Sequence, residues 1–155
     1  MEEITYKIFF RDKSVFKEVI DVMKQTNHDF VPPLSDKFKL EDIAQKYIDR
    51  AHIYISYFNN KPCGLVAFYP NIRPKDSYLS MIMVNKEYRG KSIGKNLELL
   101  CLDFCKENNS KGVMVNMRKS NERLLQSRQE LGYKIIKEYQ LDYSAEPIVD
   151  LYLQF

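Results

Sequence analysis

The stretch Val84-Asn85-Lys86-Glu87-Tyr88-Arg89-Gly90-Lys91-Ser92-Ile93-Gly94-Lys95 carries an apolar segment through a short polar turn into the start of a helix. Upstream, Tyr78 to Val84 reads as a strand. Downstream, Ile93, Leu97, Leu100, Cys101 and Phe104 fall on one helical face, and Leu99, Leu102 and Cys105 add a second apolar edge, so this helix is expected to be well buried. The start of such a helix is an anion site, because its first backbone N–H groups lack intrahelical partners and stand at the positive end of the helix dipole. Gly90 and Gly94 permit close approach of a pyrophosphate to the backbone, and Arg89, Lys91 and Lys95 add positive charge. The plain alternative is a glycine-containing turn with a solvated basic face.

Working outward, residues 4–10 alternate as a strand, and Val15, Phe16, Val19, Ile20 and Met23 then share a helix face capped by Ser14 or Asp12. Residues 25–37, with prolines at 32 and 33, break this period and read as a loop. Leu40, Ile43, Ala44, Tyr47, Ile48 and Ala51 restore it as a second helix. Strands follow at 52–58 and 63–69, joined by a turn at 59–62, with a connection over 70–75 leading to the strand at 78–84. After the buried helix come a strand at 112–117, a helix capped by Ser120 or Asn121 and stopped by Leu131-Gly132, and strands at 133–143 and 148–154. Antiparallel runs around one strand-helix-strand unit imply a mixed sheet with helices on its faces. No repeat or linker divides residues 1–155, so one domain is expected.

Composition narrows the function. The 155 residues are 45% hydrophobic and 29% charged, and 24 Lys and Arg against 21 Asp and Glu leave a net charge of only +3. That is too little for a nucleic-acid binder, which must neutralise many phosphates. No apolar run approaches the roughly 18 residues of a membrane helix, and the start, Met1-Glu2-Glu3-Ile4-Thr5-Tyr6, lacks the basic flank and apolar stretch of a signal peptide. A cytoplasmic location with no membrane partner is expected. Cys63, Cys101 and Cys105 have no metal-type spacing and read as buried hydrophobes, and His28 and His52 leave few ligands for a metal, so none is expected.

Two motifs compete for the stretch at 84–95. A nucleotide-triphosphate loop of the form Gly-x-x-x-x-Gly-Lys-Ser/Thr finds its end in Gly90-Lys91-Ser92, but its first glycine falls on Asn85. Arg89-Gly90-Lys91-Ser92-Ile93-Gly94 instead resembles the acyl-CoA pyrophosphate loop Arg/Gln-x-x-Gly-x-Gly/Ala of the GNAT superfamily of N-acyltransferases, differing at Ser92. Val113 to Met117, then Asn121, then Leu131-Gly132-Tyr133, resemble that family's next strand, helix-start asparagine and closing motif. The element order is also similar, so the resemblance spans essentially the whole chain.

The resemblance implies an α/β (α+β) GNAT fold: a mixed, mostly antiparallel sheet of about seven strands flanked by four helices and splayed centrally around acetyl-CoA. It implies that backbone groups of Met83 and Val84 face the pantetheine and thioester. The N–H groups from Arg89 to Lys95, through Gly90, Lys91, Ser92, Ile93 and Gly94, would cradle the pyrophosphate, and Asn121 would contact the pantetheine arm. The implied activity is transfer of an acetyl group from acetyl-CoA to a primary amine of a small molecule, such as an amino sugar or amino acid derivative. A protein or peptide amine, or a non-catalytic acyl-CoA-binding module, is the alternative.

Three departures bear on the chemistry. Ser92 stands where the family has glycine, which is tolerable if the residue has ordinary helical dihedrals; its hydroxyl can donate to phosphate. The usual carboxylate base is replaced by Tyr78, Ser80 and Met81, leaving a water chain, Tyr78, or Asp76 just before the strand to take the proton. The family's acid, a tyrosine seven residues after the asparagine, falls on Arg128, whose charge suits a thiolate or phosphate. Acceptor recognition is expected from residues 27–37, where Phe30-Val31-Pro32-Pro33-Leu34-Ser35 resembles a loop of GNAT proteins acting on small molecules; the same prolines also suit a merely rigid loop. His28 is a further candidate base, and Tyr139, Tyr143 and Tyr152 either line the acceptor site or cover the sheet. The last strand could pair two copies, so monomer and homodimer both stay open.

Overall fold

Asn59 and Asn60 both take left-handed backbone angles, with φ of 48° and 69°, the pair of values that a two-residue hairpin turn requires. The turn is therefore shorter than residues 59–62, and the strand after it starts at Lys61. In the computed structural model, which describes residues 2–29, 33–36, 38–141 and 146–155, the order is β1 (Ile4–Phe10), α1 (Phe16–Thr26), α2 (Leu40–Arg50), β2 (His52–Phe58), β3 (Lys61–Arg73), β4 (Asp76–Val84), α3 (Ile93–Glu107), β5 (Gly112–Arg118), α4 (Glu122–Leu131), β6 (Lys134–Tyr139) and β7 (Ile148–Gln154). The strands form one sheet in the order β1-β2-β3-β4-β5-β7-β6. Their pairings are antiparallel for β1–β2, β2–β3, β5–β7 and β6–β7, and parallel for β4–β5. This is the mixed, mostly antiparallel sheet with four helices that the sequence implies.

Several boundaries move. β3 runs on to Arg73, so only Pro74 and Lys75 turn the chain into β4, and Asp76 is the first residue of that strand instead of preceding it. Pro62 fits because it sits next to an irregularity in register between Ser56 and Tyr57. β6 stops at Tyr139, short of the expected 143; residues 142–145, Tyr143 among them, lie outside the described residues. Asp12 caps a short 3-10 turn ahead of α1 by accepting from the Ser14 N–H at 2.9 Å. Asn121 caps α4 by accepting from the Leu124 N–H at 3.3 Å.

The chain divides into two compact units. The first comprises Met1–Tyr69 and Met81–Asp103. Its core is built from Val19, Val22, Met23, Ala44 and Ile48 of the first two helices and Ile53, Ile55, Leu65 and Ala67 of the sheet, all buried, each large aliphatic worth about 1.5–3 kcal/mol on burial. The second comprises Pro70–Ser80 and Phe104–Phe155. There Val113, Val115, Val149, Leu151 and Tyr133 are buried, as the near-continuous apolar run of β5 requires. Cys63, Cys101 and Cys105 are fully buried and form no disulfide. No helix among the described residues is long and apolar enough to cross a membrane.

Candidate functional site

In the first unit, the loop between β4 and α3 is pinned from below. Asn85 is buried, donates its backbone N–H to the Cys63 carbonyl at 2.8 Å, and bonds Gln25 through its side chain. This is the position where a triphosphate loop needs a glycine; here it is a buried structural asparagine. The first backbone bond into α3 runs from the Asn96 N–H to the Ser92 carbonyl at 3.0 Å, which leaves the N–H groups of Ile93, Gly94 and Lys95 without intrahelical partners. Gly90 has φ +82° and nothing within 4 Å of where a Cβ would stand, and a Cβ on Gly94 would meet only the Val84 side chain, at 3.6 Å. The loop therefore has unpartnered donors and open space, which fits a pyrophosphate.

Ser92 does not have helical dihedrals. Its φ is +62°, so the residue standing in place of glycine holds a left-handed conformation that costs a side-chain-bearing residue about 1 kcal/mol. The condition for tolerating a serine here, ordinary helical dihedrals, is not met: the turn into α3 takes a left-handed step at this residue.

Two basic side chains of the loop are engaged. Arg89 donates through Nε to the Val84 carbonyl at 3.2 Å and through Nη2 to the Asp29 carboxylate at 2.5 Å. Lys91 contacts the Glu2 carboxylate at 2.9 Å, and Lys95 is exposed. Met83 is buried and Val84 half-buried at the end of β4. Of the loop at 27–37, residues 30–32 and 37 lie outside the described residues. Asn27 closes it by donating to the Ser35 hydroxyl at 2.7 Å and accepting from the Ser35 N–H at 2.9 Å, while His28 is exposed.

The second unit holds Asp76, Tyr78, Asn121 and Arg128. Asp76 and Tyr78 line a cavity of about 420 Å³ with Ile72, Arg73, Ser77, Met114, Asn116, Ile136, Tyr139, Asp150 and Tyr152. Its floor follows from register: Tyr78 pairs with Met114, Met114 with Tyr152, and Asn116 with Asp150, so the period of two puts these side chains on one face. Tyr152 donates to Asp76 at 2.6 Å, Tyr139 donates to Asp150 at 2.8 Å, and Asn116 donates to the Tyr78 hydroxyl at 3.0 Å. The bond to Asp76, with burial, pushes the Tyr152 phenol up to about 12. Gly112 makes this possible, because a Cβ there would overlap the Tyr152 hydroxyl and the Leu153 carbonyl. Beside it, Ser77 is buried and bonds Ser110 and the Asn71 N–H, each at 2.9 Å.

Asn121 is exposed, with its carbonyl oxygen used as the cap of α4, and Arg128 is buried on that helix. Asp150, Asn116, Arg73 and Ile72 had no signal of their own in the sequence; only the alternation of β5 and β7, once paired, brings the first two beside Tyr78. Among the described residues no group of three or more His, Cys, Asp or Glu converges to hold a metal.

Residues 19–133 match the Acetyltransferase (GNAT) family. None of the curated proteins matches the chain. Among solved structures, the fold is similar to the ribosomal-protein-S18-alanine N-acetyltransferase of Escherichia coli, at 15% identity and TM-score 0.77 over 99% of this chain and 94% of that one. It is similar to the NatC complex bound to Gag peptide and CoA, at 20% identity and TM-score 0.76 over 99% of both chains. A candidate streptothricin acetyltransferase from Bacillus anthracis, solved with acetyl coenzyme A, shares 27% identity at TM-score 0.61 over 72% of this chain and 67% of that one. With the family matched over most of its length and the loop at 89–95 fitting a pyrophosphate, the chain belongs to the GNAT family and is an acetyl-CoA-dependent acetyltransferase.

Proposed function

We propose that this acetyltransferase, working as one domain over residues 1–155, acetylates a primary amine of a small molecule. The observation that carries this reading is the cavity of about 420 Å³ lined by Asp76 and Tyr78, a volume within the range of small-ligand sites. The 27% identity to a candidate acetyltransferase of a small-molecule antibiotic supports the same class.

Acetyl-CoA supplies the acetyl group as a thioester. The N–H groups of Ile93, Gly94 and Lys95 bind pyrophosphate oxygens, Gly90 leaves the space for them, and Lys91, Lys95 and the Ser92 hydroxyl add donors. Arg89 shapes the loop through Val84 and Asp29. Backbone groups of Met83 and Val84 flank the reacting arm. An amine is nucleophilic only when it has lost its proton. Asp76 stands seven residues before Met83 on β4, about 23 Å along the strand at the usual rise, so we assign it to recognition of the acceptor in the cavity and not to proton transfer at the thioester. Its carboxylate accepts one bond from Tyr152 and retains further lone pairs. Tyr78, held by Asn116, orients the amine.

The test is release of coenzyme A from acetyl-CoA with a panel of small primary amines against a panel of peptides with free N-termini. Turnover with small amines that falls at least tenfold in Asp76→Asn supports the proposal. Turnover confined to peptides replaces the small-molecule acceptor with a protein one.

A further inference from the structure

We propose that Asn85 is a positioning residue for acetyl-CoA: its side chain, held by Gln25 at the end of α1, aims the N–H groups that start α3. The inference rests on the reading that those N–H groups bind the pyrophosphate.

Asn85 is 1% exposed, and its backbone and side chain act in different directions. The backbone N–H donates to the Cys63 carbonyl at 2.8 Å, and the backbone carbonyl accepts from the Tyr88 N–H at 2.9 Å. The main chain thus fixes the residue to β3 and closes the 3-10 turn over Lys86–Tyr88. Any residue but proline makes both bonds. The side chain adds a tie toward α1, donating through Nδ2 to the Gln25 side-chain oxygen.

Stability does not account for that side chain. Its Oδ1 is buried and has no hydrogen-bond partner among the described residues. A buried acceptor left unpaired costs more than one neutral hydrogen bond returns. Gln25 is exposed, so water satisfies it when the bond is absent. An apolar side chain of the same branching is therefore at least as stable at position 85, and what the amide supplies is direction.

Gln25 is a fixed point from which to aim. Its neighbours in the last turn, Met23 and Thr26, are buried, and the Thr26 hydroxyl donates back to the Val22 carbonyl at 2.9 Å. Through Gln25 this packed turn sets where Lys86–Tyr88 stands, and the N–H groups of Ile93, Gly94 and Lys95 follow as one helix end. Hydrogen bonds weaken steeply as they bend, so a swing of the loop misaims all three donors together. Arg89 and Asp29 join the same two segments, but as a half-exposed ion pair that salt screens. The amide pair is neutral, so its effect persists at high salt.

The experiment measures the Kd of acetyl-CoA by calorimetry, and the unfolding midpoint without ligand, in the wild type and three variants. Asn85→Leu and Gln25→Met remove the tie, whereas Gln25→Glu keeps an acceptor for Asn85, its added charge screened by working at high salt. The expected result is a Kd raised at least fivefold in Asn85→Leu and Gln25→Met, with no lowering of either midpoint, and a Kd within twofold of the wild type in Gln25→Glu. Equal Kd in Gln25→Met and Gln25→Glu overturns the inference, as does a Kd that rises only together with a fallen midpoint, the mark of a merely structural role. Where Asn85→Leu does not fold, the two variants of the exposed Gln25 decide by the same criterion. Gly94→Glu separates this inference from the reading beneath it. Wild-type affinity in Gly94→Glu removes the pyrophosphate site and the inference with it; affinity lost in Gly94→Glu but kept in Gln25→Met removes the inference alone.

Discussion

Arg89 and Asp29, sixty residues apart, are joined by a charged hydrogen bond of 2.5 Å, so the loop that starts α3 is tied to the turn that follows α1. The pair is half-exposed, at 46% and 35%, and such pairs contribute about 0–1 kcal/mol. Its electrostatic effect is larger than its structural one, since Asp29 cancels a positive charge beside an anion site. Asp29→Asn is expected to leave the unfolding midpoint within about 2 °C and to lower the KM for acetyl-CoA about threefold at low salt, an effect lost at high salt. A raised KM would show instead that the pair holds the loop in shape.

Gly94→Glu puts a carboxylate at the helix start that we propose binds pyrophosphate oxygens. Since a Cβ at this position makes only an ordinary contact with Val84, Gly94→Ala should fold and bind normally. The glutamate variant should fold yet lose the stabilisation by acetyl-CoA, about 2.7 kcal/mol at a hundredfold excess over Kd in the wild type. Thermal unfolding with and without acetyl-CoA reads both variants.

Ser92→Gly relieves a left-handed residue that bears a side chain. The variant is expected to gain about 1 kcal/mol, seen as a midpoint about 3 °C higher in calorimetry. No gain would mean that the serine hydroxyl compensates locally.

Gly112→Ala drives a methyl group into Tyr152 and the backbone of Leu153. Overpacking of this kind costs about 1–3 kcal/mol, and here it also displaces the phenol that orients Asp76. Tyr152→Phe removes the same bond without the clash. Denaturant unfolding should separate them, the alanine variant losing both stability and turnover and the phenylalanine variant losing mainly turnover.

His52 stacks on Phe10 with ring centroids 4.1 Å apart, and burial holds its imidazole below the ordinary value of 6.5. A neutral histidine in the folded chain and a protonatable one in the unfolded chain mean that the unfolded state binds more protons in acid. The resulting loss of stability begins as pH falls below about 6.5, the unfolded value, and deepens toward the folded one. Unfolding midpoints from pH 7.5 to 5 should fall less steeply in His52→Phe than in the wild type.

The sheet and helices were legible because their patterns are local: period two in β2, period 3.6 in α2, a cap at Asn121 and a stop at Gly132. The loop proposed to hold the cofactor stands out in the sequence for the same reason, its donors belonging to consecutive residues. What could not be read is what depends on distant partners or on backbone angles. Nothing near Arg89 in sequence names Asp29, and nothing in Ser92 announces a left-handed φ. The cavity is a product of pairing: Asp150 reaches the face of Tyr78 through two ladders, and an irregularity between Ile135 and Lys137 shifts the register of β6, so alternation alone would have misassigned that strand.

The burial of all three cysteines has a practical bearing. Burial pushes the Cys63 thiol up, against a smaller opposing bond from Ser56, and Cys101 and Cys105 are equally enclosed. Thiolates react and buried thiols do not, so the native protein is silent toward disulfide reagents. Every turnover frees a coenzyme A thiol, which makes colour from such a reagent a direct count of catalysis, and colour without substrate a sensor of unfolding.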